Sequence, residues 1–567
     1  MERPIIYQIL VRLFGNLKKP KKKWGALSEN GVGKMNDISD KALSEIKKMG
    51  FNHVWFTGLI EHATCTDYSK QGIASDHPSV VKGVAGSPYA IKDYYDIAPD
   101  LADNVAERMN EFQALIDRTH QNGLKAIIDF VPNHLARQYH SDAKPKAIKD
   151  FGEDDDPGQA FLPSNNFYYI PDRELLVPES TNNHTDPGKP YVESPAKATG
   201  NDVFTHQPSI NDWYETVKLN YGVDYLNEKK EHFNPIPNTW LKMKEILSFW
   251  VKKGVDGFRC DMAEMVPVAF WNWVIKEIKS ENPEVLFIAE VYQPHQYRRY
   301  IHDGGFDFLY DKVDLYDTLK AIIQGHQTTD RLPGVWQAQE GIIDQMLRFL
   351  ENHDEQRINS PFFAGSPLAG IPMMAATAFM HRGPIMIYFG QEVGEPAKGE
   401  SGFSGDDGRT TLFDYWNVSE HQKWMNGGSF DGGKLSKDQS KLRQTYIEIL
   451  KACNEEQLLR TGQFYDLQYY NRSMEYSGYS DKTYAFIRHD QFEGILVIIN
   501  FGDQPAEVEL KIPIDFFSKL GLDINQKILI DRSLFDISSF ANHQSDQVFS
   551  EKLPPYSYKF FKILSSQ

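Results

Sequence analysis

Short apolar runs alternate with amphipathic segments over the first 450 or so residues of the chain. The runs are typical of buried β-strands, because β-branched and aromatic residues fill them and turn residues follow. The segments between them repeat apolar residues at helical spacing, as in 238–254, which predicts helices. About eight strand–helix units result, which indicates a parallel sheet. The predicted strands are IIYQILVRLF (5–14), HVWFTGLI (53–60), LKAIIDFVPNH (124–134), VDGFRCD (255–261), VLFIAEVY (285–292), FDFLYD (306–311), MLRFLENHDE (346–355) and PIMIYFG (384–390).

Two other textures divide the chain. Residues 135–235 are rich in Pro, Gly, Asn and Asp and keep no helical period, which predicts an irregular inserted subdomain rather than one long loop. After residue 458 short alternating strands are separated by turn residues, as in an antiparallel sandwich. The predicted domains are therefore a barrel-type α/β domain over 1–134 and 236–457, an insert over 135–235 and a β-domain over 458–567.

Composition and net charge argue against several classes of binding partner and bound metal. The formal net charge of −17 disfavours nucleic acid, whose phosphates select basic surfaces. Cys65, Cys260 and Cys453 are too far apart for a disulfide framework or a zinc site. The sequence contains no long apolar span and its start does not resemble a signal peptide. These features predict a cytoplasmic protein without membrane contact, or a periplasmic or secreted one if a leader has been removed.

Polar side chains follow four of the predicted strands directly. Asp129 to His134 end one strand, and Arg259 and Asp261 end the next. Glu290 lies 29 residues after Asp261, and Asp354 lies 64 residues after Glu290. Since one strand–helix unit takes roughly 30 residues, these steps are one unit and two units. The ends of parallel strands meet at one face, so these groups are expected to line a single cleft.

This set of residues suits glycoside cleavage with retention. That reaction uses two carboxyl groups about 5–5.5 Å apart, one as nucleophile and one as proton shuttle. Arg259 lies two positions before Asp261 on the same side of the strand, so it is expected to keep Asp261 ionised for attack. Glu290 lies within an apolar strand, where a carboxylate is costly, and it is the predicted general acid.

The ordered motifs DFVPNH, GFRCD, FIAEVY and FLENHD resemble the four sequence regions of the α-amylase family, glycoside hydrolase family thirteen. The resemblance implies a (β/α)8 TIM barrel, an inserted irregular domain B after strand three and a C-terminal antiparallel β-sandwich. It also implies a retaining, α-amylase-like enzyme acting on maltooligosaccharides or related α-glucans. The roles that it implies are Asp261 as nucleophile, Glu290 as acid/base, Asp354 as third carboxylate, Tyr89, His134, Arg259 and His353 in substrate binding, and Asn133 as a calcium ligand.

The sequence departs from the family pattern after the nucleophile. Glu264 and Met265 stand where many α-amylases carry Lys-His, which argues against standard starch endo-cleavage and against a requirement for calcium. The chemistry itself needs no cofactor. Arg409, in GRTTLFDYW, is a further substrate-binding candidate. The insert is expected to form one wall of the cleft, and the aromatic residues that it carries are Phe161, Phe167, Tyr168, Tyr169, Tyr191 and Trp213.

Three functions remain open at this stage. A hydrolase is preferred over a transglycosylase or isomerase of the same family, such as a glucan transferase or a trehalose-forming enzyme. A non-catalytic glucan-binding protein is the third, and the three intact carboxylates argue against it. The sequence leaves α-1,4 or α-1,6 preference, endo or exo action and the oligomeric state undetermined.

Overall fold

A parallel β-barrel forms the larger part of the molecule in this computed structural model. The structure describes residues 3–179, 185, 188–472, 479–523, 525–530, 533–536 and 549–565. The eight barrel strands found among these residues are β1 Ile5–Leu10, β2 His53–Thr57, β3 Lys125–Phe130, β4 Gly257–Cys260, β5 Leu286–Ala289, β6 Phe308–Tyr310, β7 Met346–Leu347 and β8 Ile385–Tyr388.

The strands follow one another around the barrel in chain order. The sheet order is β7-β6-β5-β4-β3-β2-β1-β8, and each neighbouring pair is parallel. A further parallel bridge joins Arg348, next to β7, to Ile385 in β8 and closes the ring. The short sixth strand, Phe308–Tyr310, takes its predicted place. All eight carboxyl ends therefore open onto one face of the barrel.

One helix follows each barrel strand. Most are amphipathic, with the apolar side on the sheet: Met243, Leu247 and Trp250 of the third helix are buried. The first helix begins with the Ser39 side chain accepting from the amide of Ala42, and it ends at Gly50, whose φ of +113° suits glycine. The helices are α1 Asp40–Met49, α2 Arg108–Gln121, α3 Asn238–Lys252, α4 Val268–Glu281, α5 Tyr297–His302, α6 Asp317–Ile323, α7 Gly370–Phe379 and α8 Lys437–Glu455.

The first strand is shorter than the predicted run 5–14. It ends at Leu10, and Val11–Phe14 forms a helical turn. The reason is Arg12, which is buried and donates hydrogen bonds to the carbonyl oxygens of Gly86 at 3.0 Å and Leu412 at 2.9 Å. A straight continuation of the strand would not place the guanidinium on those loops. Tertiary contacts therefore override the local β-propensity.

The insert leaves the barrel after β3 and returns at α3. In its described part it contains only short strands, of which His134–Ala136 pairs antiparallel with Thr216–Lys218. Both strands lie at the mouth of the barrel, because His134 follows β3 by only four residues. The irregular texture read from the sequence therefore corresponds to a loop-rich subdomain beside the carboxyl ends of the barrel strands.

The last part of the chain is antiparallel. A six-stranded sheet has the order β9-β10-β11-β16-β13-β14, and β12 pairs with β15. The sheet packs on α7 of the barrel, where the rings of Phe379 and Tyr558 lie 5.5 Å apart and Arg488 donates to the Phe379 carbonyl at 2.9 Å. The strands are β9 Gln463–Asp466, β10 Thr483–His489, β11 Glu493–Asn500, β12 Ala506–Leu510, β13 Lys527–Ile530, β14 Ser533–Asp536, β15 Phe549–Leu553 and β16 Ser557–Ser565.

Two sequence expectations concern the molecule as a whole. Cys65, Cys260 and Cys453 form no disulfide bond with one another. Within the part of the chain that the structure describes, no helix combines the length and the apolar character needed to cross a bilayer.

Candidate active site

Asp261 and Arg259 come from the carboxyl end of β4. Arg259 lies on the strand with its side chain fully buried, and Asp261 follows the last strand residue. Nη1 of Arg259 donates to Oδ1 of Asp261 at 2.8 Å. The next residue, Met262, has a φ of +43°, which is rare for a side chain of this kind and is a form of strain found at functional sites.

Glu290 follows β5 directly and lies beside Asp261. Nη2 of Arg259 is 2.7 Å from Oε1 of Glu290, and the hydroxyl of Tyr292 donates to the same oxygen at 2.6 Å. The other oxygen, Oε2, accepts from the backbone amide of Met262 at 2.7 Å. One guanidinium therefore contacts both carboxyl groups, which supports the short separation that retention requires.

Asp354 and His353 lie at the end of the chain segment that follows β7. Nε2 of His353 is 3.0 Å from Oδ2 of Asp354, and Nδ1 of the same ring is 2.8 Å from Nε2 of Gln8 on β1. The hydroxyl of Tyr89 is 2.5 Å from His353 Nε2, and the two rings are stacked with centroids 5.2 Å apart. Tyr89, His353 and Asp354 thus form one connected surface.

Asp129 at the end of β3 supports this surface from below. One oxygen accepts from the Tyr89 hydroxyl at 3.3 Å, and it lies 3.5 Å from Arg259 Nη1. The other accepts from the amide of Gly58 at 3.2 Å. Asp129 is not among the residues that line the cavity above the catalytic groups, so it positions its neighbours rather than facing the cleft.

His134 and Asn133 reach the site from the first residues after β3. Nε2 of His134 is 3.9 Å from Oδ2 of Asp261, and its ring packs against Trp213 of the insert with centroids 5.1 Å apart. Asn133 lies behind His134 and contacts its Nδ1 at 3.1 Å. Asn133 is therefore a support for His134 and does not face the cleft; its other contacts involve the buried Lys218.

The pKa values of Asp261 and Asp354 are shifted in opposite directions, although burial raises both. The pKa of Asp261 is raised well above its ordinary value because burial disfavours the charge and because Glu290 and Asp354 repel it; Arg259 opposes this rise. The expectation that Arg259 keeps Asp261 readily ionised is therefore wrong for the substrate-free site. Burial also opposes the charge of Asp354, but His353 and Arg259 outweigh it and lower the pKa of Asp354 to about 2.

A cavity of about 240 Å³ lies over these groups. Four parts of the chain line it, one of which is the loop after β2 with Lys82, Ser87 and Tyr89. The barrel supplies the carboxylates, the insert supplies Trp213 and Glu215, and the loop after β8 supplies Leu412 and Phe413. Lys82 also faces the cavity, and its ammonium group is 2.9 Å from Oε1 of Glu215. The amide of Ala85 donates to the Phe413 carbonyl at 3.0 Å. The walls are thus tied to one another on one side of the catalytic groups.

The insert forms part of the cleft wall, but few of its aromatic residues face the cavity. It supplies Trp213, Glu215 and Thr216 to the lining. Of the insert aromatics named from the sequence, only Trp213 is among these lining residues. Phe167, Tyr168 and Tyr169 are buried within the insert, and the Phe161 ring stacks on Tyr168 at 6.1 Å. Their hydrophobic surface stabilises an insert that has little regular secondary structure.

Tyr292 and Arg409 differ in how closely they contact the site. Tyr292 lines the cavity and donates to Glu290. Arg409 has a side chain 54% exposed, and its nearest ion-pair contact is Asp407 at 3.6 Å. Glu264, where the family pattern has Lys, accepts from the amides of Tyr292 and Gln293 at 3.2 Å each and thus holds the loop after β5.

Several residues of the site have no motif that would identify them in the sequence. Trp55 and Tyr310 surround the Arg259 guanidinium, with centroids 5.4 and 5.5 Å away. Both belong to strands whose apolar pattern predicts only packing. Lys218 lies on a short strand of the insert, and Lys82 and Glu215 come from irregular segments. In TVKLNY, Lys218 lies between two apolar residues, which indicates a buried lysine but does not indicate its partners.

Comparison with known proteins finds relatives over most of the chain. The family profile described as "Alpha amylase, catalytic domain" matches residues 21–443. The chain is similar to "Alpha-amylase 3" of Dictyoglomus thermophilum, with 23% identity over 83% of this chain and 81% of the relative. It is also similar to "Neopullulanase 2" of Thermoactinomyces vulgaris, with 22% identity over 75% of this chain and 59% of the relative.

Solved structures share the fold over nearly the full length. An α-amylase from Geobacillus thermoleovorans complexed with acarbose has a TM-score of 0.60 at 19% identity, covering 100% of this chain and 99% of that one. A cyclic α-maltosyl-(1→6)-maltose hydrolase from Arthrobacter globiformis has a TM-score of 0.61 at 16% identity, covering 99% and 98%. At these identities the likeness establishes the architecture alone.

Proposed function

The chain belongs to the α-amylase family of glycoside hydrolases, and from that premise we propose that it cleaves α-glucosidic bonds of short maltooligosaccharides with retention of configuration. The observation that carries the proposal is the shared guanidinium of Arg259. It contacts Asp261 at 2.8 Å and Glu290 at 2.7 Å and so holds a nucleophile and a proton donor side by side.

The first displacement breaks the glycosidic bond. Oδ1 of Asp261 is held by Arg259, which leaves Oδ2 to attack the anomeric carbon. As the ester bond forms, the bond from that carbon to the glycosidic oxygen breaks, and Glu290 delivers its proton to the departing oxygen. Asp261 attacks as the carboxylate, after releasing its proton to water, and Arg259 and the positive charge that develops on the sugar ring in the transition state stabilise that charged form.

The second displacement returns the enzyme to its starting state. Water attacks the same carbon from the side that the leaving sugar has vacated, and Glu290 accepts its proton. The ester bond breaks and Asp261 regains its carboxylate. Asp354 stays ionised throughout, since its pKa is about 2, and it accepts hydrogen bonds from sugar hydroxyls together with His353. Tyr89 supports the sugar by stacking, and His134 binds it from the insert side.

The preference for short substrates rests on the enclosure of the cavity. Lys82 and Glu215 form an ion pair, and the Phe413 carbonyl bonds to Ala85, so the walls meet on one side of the catalytic groups. A long glucan crossing the cleft in both directions would have to part these contacts. Short chains that enter from the open side would not.

A family transglycosylase is the second candidate. The same catalytic residues serve transfer when a sugar hydroxyl replaces water in the second step, and the apolar residues Trp213, Leu412 and Phe413 could exclude water there. Transfer to maltose or maltotriose yields longer products, whereas hydrolysis yields only shorter ones. A cytoplasmic location stays a prediction from the sequence, and so does the absence of a nucleic-acid partner.

One experiment tests the reaction and its stereochemistry together. Purified protein is mixed with maltotriose, and the anomeric protons of the products are followed by NMR from the first minutes. Retention predicts that the α-anomer of the new reducing end appears first and then equilibrates. Initial appearance of the β-anomer would contradict the proposal. Chromatography of the same samples separates hydrolysis from transfer by product length.

A further inference from the structure

A buried lysine lies beneath the site, and the reaction does not use it. Lys218 is on the insert strand Thr216–Lys218, directly opposite His134 in the antiparallel register. Its side chain is only 2% exposed. A buried ammonium group is costly unless oxygen atoms surround it, so its partners indicate what it does.

Three oxygen atoms from separate segments surround the ammonium nitrogen. Oδ1 of Asn133, after β3, and Oδ1 of Asp202, in the insert, each lie 2.6 Å from Nζ of Lys218. The carbonyl oxygen of Met265, after β4, lies 3.4 Å away. The ammonium group therefore joins the insert to two loops of the barrel at one point.

This arrangement does not fit the calcium ion that the family resemblance assigns to Asn133. Calcium takes six to eight oxygen ligands at about 2.3–2.6 Å. Here the side-chain oxygen of Asn133 and the carboxylate of Asp202 already surround a positive charge at hydrogen-bonding distance. A divalent cation on the same oxygens would meet the ammonium group at close range and be repelled.

The same contact determines the orientation of the Asn133 amide. An ammonium group only donates hydrogen bonds, so Lys218 must face Oδ1 of Asn133. A carbonyl oxygen only accepts, and the Gly200 carbonyl lies 2.7 Å from Nδ2. Nδ2 is also 3.1 Å from Nδ1 of His134, so that ring nitrogen accepts and the ring proton is on Nε2. Nε2 is the nitrogen that faces Asp261, at 3.9 Å.

We propose that the Lys218 ammonium group is a built-in cation that joins the insert to the barrel in place of calcium and, through Asn133, keeps the Nε2–H of His134 directed at the reaction site. The part that concerns His134 rests on the proposed function. The part that concerns calcium does not, and thermal unfolding tests it separately.

The test compares thermal melts in chelator and in millimolar calcium for the full chain and two variants. Wild-type Tm should differ by less than about 1 °C between the two conditions. Lys218→Ala leaves the oxygens of Asn133, Asp202 and Met265 around an open space. Its Tm should fall by at least about 5 °C in chelator, and calcium should restore half of the loss or more. Lys218→Met fills the space with an apolar chain, so calcium should restore nothing.

Several results would overturn the calcium part. One calcium ion per chain in the purified wild type, measured by mass spectrometry, would do so, as would a chelator-induced fall in wild-type Tm of several degrees. Equal calcium recovery in Lys218→Ala and Lys218→Met would locate the calcium effect elsewhere. If neither variant folds, the metal content and chelator response of the wild type decide the question by themselves.

Asn133→Asp tests the part that concerns His134. The carboxylate keeps its contact with Lys218 but offers no N–H to His134 Nδ1, so the ring proton should move to Nδ1. We expect a lower Tm, because a carboxylate oxygen then faces the Gly200 carbonyl oxygen, together with a changed pattern of ring ¹⁵N shifts for His134 and a loss of at least tenfold in kcat/KM. Unchanged ring shifts would refute the positioning role. An inactive wild type would instead refute the proposed function and leave the melts interpretable.

Discussion

Nη2 of Arg259 lies 2.7 Å from Oε1 of Glu290, across from β4 to the neighbouring β5. The same guanidinium reaches Asp261 with its other terminal nitrogen. A planar group with two forks fixes both distance and orientation, which a lysine could not do. The arginine thus sets the separation of the two carboxyl groups, and the predictions for each of them follow from this geometry.

Asp261→Asn should lower kcat on maltotriose by about 10⁴-fold or more, because an amide does not attack the anomeric carbon. Its Tm should stay equal to that of the wild type or rise. Burial raises the pKa of Asp261, so the native state favours its uncharged form, and asparagine resembles that form in shape. Activity assays and thermal melts check both points. Retained turnover would remove Asp261 from the nucleophile role, and a fall of several degrees would mean that the fold needs its ion pair with Arg259.

Glu290→Gln should lose about 10²–10⁴-fold on maltotriose, because the leaving oxygen then receives no proton. On α-glucosyl fluoride with azide present the loss should be much smaller, since fluoride leaves without a proton and azide attacks without a base. Tyr292→Phe is the matched control. It removes the 2.6 Å hydrogen bond to Glu290 but keeps the carboxyl group, so it should affect both substrates alike. Equal losses for Glu290→Gln on both substrates would argue against Glu290 as the acid.

The sequence predicts those site residues that follow a buried barrel strand and have a side chain suited to the chemistry. Asp261, Glu290 and Asp354 follow buried strands, and the barrel brings those strand ends to one face. The contacts that tune the site come from segments without periodicity. Nothing in the local sequence indicates that Lys218 would lie 2.6 Å from Asn133, since long-range folding of the insert makes that contact.

The pKa of Asp261 is a second property of the site that the sequence does not determine. The sequence places Arg259 next to it but does not give the depth of burial or the number of carboxylates that share the same cation. Those two quantities decide the direction of the pKa. Secondary structure was predictable for a simpler reason: the barrel helices bury one continuous apolar side, so their period survives in the sequence.

Glu61→Gln should make stability less dependent on pH. Glu61 lies opposite Asp93 where the short strand Ile60–His62 pairs antiparallel with Ile91–Ile97, and Asp96 is also near it. Burial, followed by repulsion from these two carboxylates, raises the pKa of Glu61 to about 9 from 4.5. Between those values the native state holds a proton that the unfolded state releases. Wild-type stability should therefore fall as pH rises, by about 1.4 kcal/mol per pH unit from this group.

Chemical unfolding between pH 5 and pH 8 measures this slope. Glu61→Gln should remove the contribution, so its stability relative to the wild type should grow as the pH rises. The exposed Glu281→Gln serves as control and should leave the slope unchanged. An identical slope in the wild type and Glu61→Gln would mean that Glu61 is ionised in the native state.

Substrate length is the final prediction. Affinity for a neutral glucan comes from stacking and hydrogen bonds spread over several sugars, and here Trp213 is the one insert aromatic of the predicted set that lines the cavity. The Lys82–Glu215 ion pair and the bond between Ala85 and the Phe413 carbonyl close one side. Maltotriose and maltoheptaose should therefore be turned over with higher kcat/KM than soluble starch. Initial rates on the three substrates, with chromatography of the products, make the comparison. A kcat/KM that rises steadily to starch, with cuts in the middle of the chain, would mean that these walls part readily and the cleft is open at both ends.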